Sequence, residues 1–466
     1  MLRPPLSQAR PEQRMTIKPS LLFDVCQPCV RLLAILLFGI STGHAIAAES
    51  IPAGEAATVA VPAAAASPPF DVPRSLTIPK GFSIRVFARV ASARFMAVAP
   101  NGDLLVSSPD KGSITLLRPA ANGMPQRFVF ASQLHHPHDI VFHTLNGKQY
   151  VYIAESNRII RASYSTGQTS IGAIQNVVGS LPDASSPGLK GSYGHQLKNI
   201  ALHGDKLYVS IGSTCNACIS DTKADPVRGA LYQYAADGGN GRLYAKGLRN
   251  AEGIRFRPGT DELWVVVNSR DYIAYPHHKD WDGDGKDDYG KVMQSYVDGH
   301  PPDMLVRVRD GGNYGWPFCN PNPDNGPDNM PYDRDAQQNP NGDKLDCEKI
   351  DRATKGVDPH SAPLGMNFLH DSGLPAPYRN GLVTALHGCW NCSMLNGHKV
   401  VLYPFKEDGS IGEAVDLVTG WVTNAQAKQR WGRPVMAVPN GKGELYISDD
   451  YSGTVYLLRY EGKNPG

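Results

Sequence analysis

One short pattern of polar and apolar positions recurs along the chain. A turn carrying Gly or Asp is followed by a strand of apolar or alternating residues. It stands at Asn101-Gly102-Asp103 before Leu104-Leu105-Val106, at Asn146-Gly147 before Tyr150-Val151-Tyr152-Ile153, and at Gly204-Asp205 before Leu207-Tyr208-Val209. It returns at Gly259-Thr260-Asp261 before Leu263-Trp264-Val265-Val266, at Asn380-Gly381 before Leu382-Val383, and at Asn440-Gly441 before Leu445-Tyr446-Ile447. Most copies have an apolar strand just before the turn, such as Met96-Ala97-Val98 or Pro434-Val435-Met436-Ala437-Val438. Several have another after it, such as Ile114-Thr115-Leu116-Leu117 or Val455-Tyr456-Leu457-Leu458. No long stretch has helical periodicity.

Each unit therefore predicts a small antiparallel sheet. Such a sheet cannot bury both faces alone, whereas six in a ring can. The predicted fold class is all-β, a six-bladed β-propeller spanning residues 76–466, with long inserts in the fourth and fifth units. A β-sandwich with decorated loops is the competing arrangement, and the number of like units disfavours it.

Composition narrows the picture. Of 466 residues, 41% are hydrophobic and 19% charged, which is enough apolar mass for a large core and too few charges for a disordered chain. The formal net charge of +2 comes without any Lys/Arg block, so a nucleic-acid partner is not expected. Near the N-terminus, Arg31 precedes the apolar run Leu32–Phe38, and Ala45-Ile46-Ala47 offers an A-x-A cleavage site. That order predicts a secretory signal peptide over 1–47 with a long leader, Met15 being an alternative start. The run is too short for a stable membrane span once the signal is cleaved. Residues 48–75 are Ala/Pro-rich, lack any apolar period and read as a flexible linker. The mature protein is expected to be periplasmic or secreted.

Export favours paired cysteines. Cys26 and Cys29 leave with the signal, and six remain. Their spacing favours Cys215–Cys218, Cys319–Cys347 and Cys389–Cys392, although spacing alone leaves connectivity open. A four-cysteine zinc site also fits the two C-x-x-C pairs by spacing. Covalent haem does not, because Ile219 and Ser393 stand where it needs His.

A propeller brings the loops at one end onto its axis, so residues just before the first strand of each unit are candidates for chemistry. Four such positions are polar: Gly194-His195-Gln196-Leu197-Lys198, Leu248-Arg249-Asn250-Ala251-Glu252-Gly253, His360-Ser361-Ala362-Pro363-Leu364-Gly365 and Arg430-Trp431-Gly432-Arg433-Pro434. Together they supply several cations, imidazoles and an amide. That set suits a planar anionic ligand with carboxylates, which Arg grips with two prongs, beside a neutral His able to act as a base.

With these strings and Gly311-Gly312-Asn313-Tyr314-Gly315-Trp316-Pro317, the most specific of them, the chain resembles the PQQ-dependent glucose/sorbosone dehydrogenase family, in its sorbosone and pyranose dehydrogenase branch. The resemblance runs from about Ile78 to Tyr460. It implies PQQ and calcium as cofactors, a sugar or aldehyde substrate and an external electron acceptor, either a cytochrome or the quinone pool. It also implies His195 as the catalytic base. Arg249, Asn250, His360, His387, Arg430, Arg433 and Lys198 are the implied cofactor-binding residues. The sorbosone-type branch reads HGSWNR where this chain reads His387-Gly388-Cys389-Trp390-Asn391-Cys392, so one expected cation is missing. The loop Asn268-Ser269-Arg270-Asp271 is the implied shell of a calcium at the quinone, largely through main-chain carbonyls.

A separate calcium site is legible from the residues themselves. The fourth-unit insert Asp280-Trp281-Asp282-Gly283-Asp284-Gly285-Lys286-Asp287-Asp288 spaces oxygen donors as in the front of a calcium loop. Asp280, Asp282, Asp284, Lys286 and Asp288 are the candidate metal residues, although Lys291 replaces the usual final Glu. The alternatives to a dehydrogenase are a calcium-dependent propeller hydrolase such as a lactonase, which would need acidic and amide ligands on the axis, and a non-catalytic carbohydrate-binding propeller.

Overall fold

In a computed structural model, which describes residues 51–121 and 123–462, the repeated turn-and-strand units form six blades of four antiparallel strands, the third extended by the short strand Gly312–Asn313, which runs parallel to its outer strand. Blade 1 comprises Met96–Val98, Leu104–Ser108, Ser113–Arg118 and Gln126–Ala131. Blade 2 comprises Ile140–Leu145, Lys148–Ala154, Ile159–Ser163 and Gln175–Val178. Blade 3 is Ile200–His203, Lys206–Ile211, Ala230–Ala235 and Arg242–Lys246, and blade 4 is Asn250–Phe256, Leu263–Asn268, Asp303–Val308 and Lys355–Val357. Blade 5 is Pro363–Phe368, Gly381–Leu386, Lys399–Pro404 and Val415–Val418. Blade 6 takes Pro434–Pro439, Glu444–Asp449 and Thr454–Tyr460 from the C-terminal end and its outer strand, Phe82–Arg89, from the N-terminal side. Each turn motif of the sequence links the first and second strands of a blade. The first strands of successive blades pack side by side in a closed circuit, including blade 6 onto blade 1.

The core is divided into six wedges, one between each pair of neighbouring blades. The strand period of two explains why. In blade 1, Leu104 and Val106 face the blade 6 wedge with Met436 and Tyr446, while Leu105 faces the blade 2 wedge with Val151 and Ile153. A blade buried on both faces reads as a near-continuous apolar run, as each second strand does.

The stretch read as a flexible linker is built into the fold: Gly54–Thr58 pairs with Ser75–Pro79, and Val59, Ala65 and Phe70 are buried in the wedge between blades 5 and 6. Its composition hides this because most of its residues are exposed and only these few carry the packing. The expected signal peptide lies outside the described residues. Among the described residues no helix is long and apolar enough to cross a membrane. The three expected disulfides are present: Cys215–Cys218, Cys319–Cys347 and Cys389–Cys392.

Candidate active site

Antiparallel order places the start of each first strand and the end of each second strand at the same end of the ring. These termini surround a cleft of about 500 Å3. His195 enters from the loop before blade 3, Arg249 and Asn250 from the start of blade 4, His360 from the loop before blade 5, and Arg433 from the loop before blade 6. His387 follows the second strand of blade 5. All six line the same cleft.

His195 is held as a neutral base. Its Nδ1 lies 3.0 Å from the Ser213 carbonyl and 3.0 Å from Ser213 Oγ. The carbonyl can only accept, and the hydroxyl already donates to the Cys215 carbonyl at 2.8 Å. Nδ1 therefore carries the proton and Nε2 is left as an acceptor, without a hydrogen-bond partner among the described residues. Burial, reinforced by the Arg249 charge, pushes the imidazole down to about 3.

Arg249 is fixed from every side. Its Nη2 pairs with Asp271 at 2.8 Å and its Nε donates to the Asn216 carbonyl at 3.1 Å. Its other donors reach Asn216 Oδ1 at 3.1 Å and the Asn268 carbonyl at 3.3 Å. The GGNYGWP string is scaffolding for this residue. Trp316 Nε1 donates to the same Asn216 carbonyl at 3.0 Å, and Tyr314 N donates to the Lys246 carbonyl at 3.0 Å. Gly247 sits at φ 74°, where a Cβ would come within 2.5 Å of Gly315 N, so the close approach of the two segments requires glycine.

On the opposite wall, Arg433 donates to the His387 carbonyl at 3.0 Å and the Gly388 carbonyl at 2.9 Å. Gly388, at φ 98°, is packed against the His398 ring with no room for a Cβ. Arg433 Nη1 has no partner among the described residues. His387 Nε2 lies 2.8 Å from Asp450 Oδ1, while Arg94 Nη1 holds Asp450 Oδ2 at 2.6 Å. Burial drives His387 down to about 4 against the pull of Asp450. His360 differs: its Nε2 donates to the Val297 and His300 carbonyls at 2.8 and 2.9 Å, and its Nδ1 faces Asp271 at 3.6 Å. Burial opposes its charge, but Asp271 and Asp303 outweigh burial and raise it above its ordinary value. Asp303, buried beneath, is pushed up to about 6 by desolvation while its oxygens accept Ser269 N and Ala362 N.

Two expected residues are not at the cleft. Lys198 is fully buried in the seam behind it, donating to the Pro182 carbonyl at 2.9 Å and to the Gln196 carbonyl. It lies just before the first strand of blade 3, and its side chain turns inward where His195 turns to the mouth. Arg430 stacks over Tyr451 at 5.2 Å and does not line the cleft. Conversely, Arg94, Asn216, Asp271, Asp303 and Asp450 were not among the expected catalytic or cofactor-binding residues, Asp271 having been expected only in a calcium shell. Four of them line the cleft, and Asn216 acts behind Arg249.

In the fourth-unit insert, carboxylate oxygens of Asp280, Asp282 and Asp288 lie within 4.8 Å of one another. Asp284 instead pairs with Lys286 Nζ at 2.9 Å, so neither of these side chains joins the cluster. Lys291 places its ammonium 2.7 Å from Asp288. In the loop Asn268–Asp271, the Asn268 and Asp271 carbonyls already accept hydrogen bonds from Arg249 and Asn216. Arg270 is buried against Asp335 and Gln337.

The family model described as TrAA12-like matches residues 76–461. The chain belongs to that family. Its propeller resembles the PQQ domain of the pyranose dehydrogenase of Coprinopsis cinerea in its holo form, with a TM-score of 0.63, 20% identity, and 82% of this chain and 97% of that chain covered. It also resembles a calcium structure of the Trichoderma reesei carbohydrate-active enzyme family AA12, with a TM-score of 0.63, 17% identity, and 83% of this chain and 97% of that chain covered. In sequence, the pyrroloquinoline quinone-dependent pyranose dehydrogenase of Coprinopsis cinerea is 35% identical over 117 residues, 22% of this chain and 15% of that protein. The chain spans 58% or less of the length of the curated relatives it matches. The propeller of this TrAA12-like chain is thus shared with its structural neighbours, while the roles of its cleft residues rest on their own geometry.

Proposed function

We propose that the protein oxidises an aldose or a related aldehyde, with PQQ as the immediate electron acceptor and His195 as the base. The observation that carries this reading is the neutral His195, with Nδ1–H locked on a carbonyl and Nε2 free at the mouth of a cleft edged by guanidinium groups. The cleft fits a tricarboxylate quinone in size and in donor type: Arg433 Nη1 and Arg94 Nη2 are N–H groups without partners among the described residues. When bound, PQQ supplies a two-electron acceptor for the hydride leaving the sugar carbon. His195 Nε2 takes the proton of the hydroxyl on that carbon, so an aldopyranose leaves as its lactone. Arg433 and Arg94 hold carboxylates, and Arg249 with Asn250 edges the reacting side. The electrons then pass to an external acceptor.

The calcium-hydrolase alternative is disfavoured by the pairing of the cleft acids: Asp271 is held by Arg249, Asp303 by two main-chain N–H groups, and Glu252 by two amides. Both oxygens of Glu252 are already taken by the amides of Asn199 and Asn250, at 2.8 and 3.3 Å. Calcium is assigned to the Asp280–Asp282–Asp288 cluster, where it clips the long blade 4 insert. Three disulfides suit an oxidising compartment, which supports a periplasmic or secreted location.

The test is a titration of the mature protein with PQQ in the presence of calcium. Stoichiometric binding, weakened at least ~10-fold in Arg433→Ala, is expected from the loss of the charged Nη1 donor to a carboxylate. A folded, calcium-loaded protein that binds no PQQ would sink the reading.

A further inference from the structure

Two large aromatic side chains stand exposed at the lip of the cleft on separate, braced loops. Trp390 is 65% exposed and lines the same cleft as His195 and Arg433. Tyr272 is 41% exposed and meets Trp390 edge to face, with centroids 5.4 Å apart and planes at 81°. A T-shaped contact leaves at least one face of the indole uncovered. Trp390 Nε1 has no hydrogen-bond partner among the described residues.

Neither ring sits on a loose segment. The Cys389–Cys392 disulfide closes a four-residue loop around Trp390. From outside, Gln294 Nε2 donates to the Asn391 carbonyl at 2.9 Å, and Ser393 N donates to Asp298 at 2.8 Å. Tyr272, at φ 48°, follows Asp271, whose N–H and carbonyl are both held by the Asn216 side chain at 2.9 and 2.7 Å. Asn216 itself lies within the Cys215–Cys218 loop. Two disulfide loops therefore fix an aromatic pair in water, where burying it elsewhere would be favourable. Rigid, exposed aromatic surface beside a polar cleft is preorganised for a ligand that is apolar on one face and polar around its edge.

We infer that Trp390 is a saccharide-stacking residue at the cleft mouth, recognising the C–H face of a pyranose ring, with Tyr272 holding the indole in plane. This rests on the sugar-oxidising reading above and adds to it one residue that sets substrate affinity. Trp390 lines the same cleft as His195, so a small saccharide seated there reaches both.

The experiment compares wild type, Trp390→Ala, Trp390→Phe and Tyr272→Ala, each loaded with PQQ and calcium. The probes are D-glucose, D-xylose and maltose, with glyceraldehyde as a substrate lacking a ring. Binding is read in parallel by saturation-transfer NMR with methyl β-D-glucopyranoside. Trp390→Ala is expected to raise KM for the pyranoses at least ~10-fold with kcat, glyceraldehyde KM and PQQ affinity unchanged, and Trp390→Phe to recover most of the loss. Tyr272→Ala is expected to give a smaller rise. Unchanged KM in Trp390→Ala overturns the inference. So does a loss of PQQ affinity in that variant, which would place the indole on the cofactor. If no probe is oxidised but the glycoside binds to wild type and not to Trp390→Ala, the subsite stands and the dehydrogenase reading fails. If the glycoside and the sugars do not bind at all, the subsite fails.

Discussion

His195 shows how one side chain is prepared by its neighbours. A histidine on a surface loop would be partly protonated near pH 6.5, whereas here the carbonyl of Ser213 selects the tautomer and burial removes the charged form. His195→Ala is therefore expected to lower kcat by roughly 10²- to 10⁴-fold while PQQ affinity stays within a few-fold, measured by dye-linked turnover and titration. His387 gives a stability test. Its folded value of about 4 lies below its unfolded value, so the unfolded chain binds the extra proton between those pH values and stability falls as pH drops through that window. In His387→Asn this acid-side loss is expected to shrink by on the order of 2 kcal/mol between pH 7 and 4, read as a smaller drop in Tm. An equal drop in both proteins would mean that His387 does not titrate with unfolding. At this scale the sequence was informative where a residue stands in the loop leading into a first strand, as His195, Arg249 and Arg433 do. Lys198 was misjudged because proximity in sequence says nothing of which way a side chain turns. The pairing of Asp271 with Arg249, and of Asp450 with His387 and Arg94, was not legible, because these acids follow second strands and meet partners on other loops.

At the scale of elements, the loops do the positioning and the strands hold the loops. Asn216 uses its carbonyl, its amide oxygen and its amide N–H on Arg249, Asp271 and Trp316, so one short disulfide loop sets the angle of the guanidinium. Asn216→Ala is expected to weaken PQQ binding at least ~5-fold, and Asn216→Gln less so, with far-UV circular dichroism unchanged. Equal affinity in Asn216→Ala would show that Arg249 holds its pose without the loop. The acidic insert makes a second element-scale prediction. Three carboxylates within 4.8 Å repel one another, and Lys291 neutralises only part of that charge. Adding EGTA is expected to lower the wild-type Tm, and Asp280→Ala with Asp282→Ala to melt low and ignore EGTA. A wild-type Tm indifferent to EGTA would make the loop a solvated acidic turn. The spacing of these acids was readable from the sequence. The diversion of Asp284 to Lys286 was not, since it depends on how the insert folds back on itself.

The described residues of the propeller form a ring whose closure is shared between its N-terminal and C-terminal strands. Blade 6 is completed when Phe82–Arg89 pairs with Thr454–Tyr460; the C-terminal strand was legible as an apolar run, but its pairing with the N-terminal side was not. The segment ahead of it was not legible, because Ala and Pro carry no period and only a few of its side chains are buried. Yet those few reach the site from behind. Phe70 packs edge-on against Trp431 at 5.9 Å and against Tyr456 at 6.2 Å, and Trp431 lies two residues before Arg433. The neighbouring strand is tied to blade 5 through Thr77 and Thr419, which exchange hydrogen bonds at 2.9 and 3.0 Å. If this segment were a tether, a chain beginning at Ser75 would melt like one beginning at Ile51. The packing requires otherwise. Phe70→Ala alone removes a buried ring and is expected to cost about 3 kcal/mol, and the chain beginning at Ser75 loses Val59 and Ala65 as well. Because the lost support lies under the blade carrying Arg433, PQQ affinity is expected to fall along with Tm in the shorter chain, while the Asp280 loop, on blade 4, keeps its calcium response. Loss of stability without loss of affinity would confine the N-terminal segment to closing the ring.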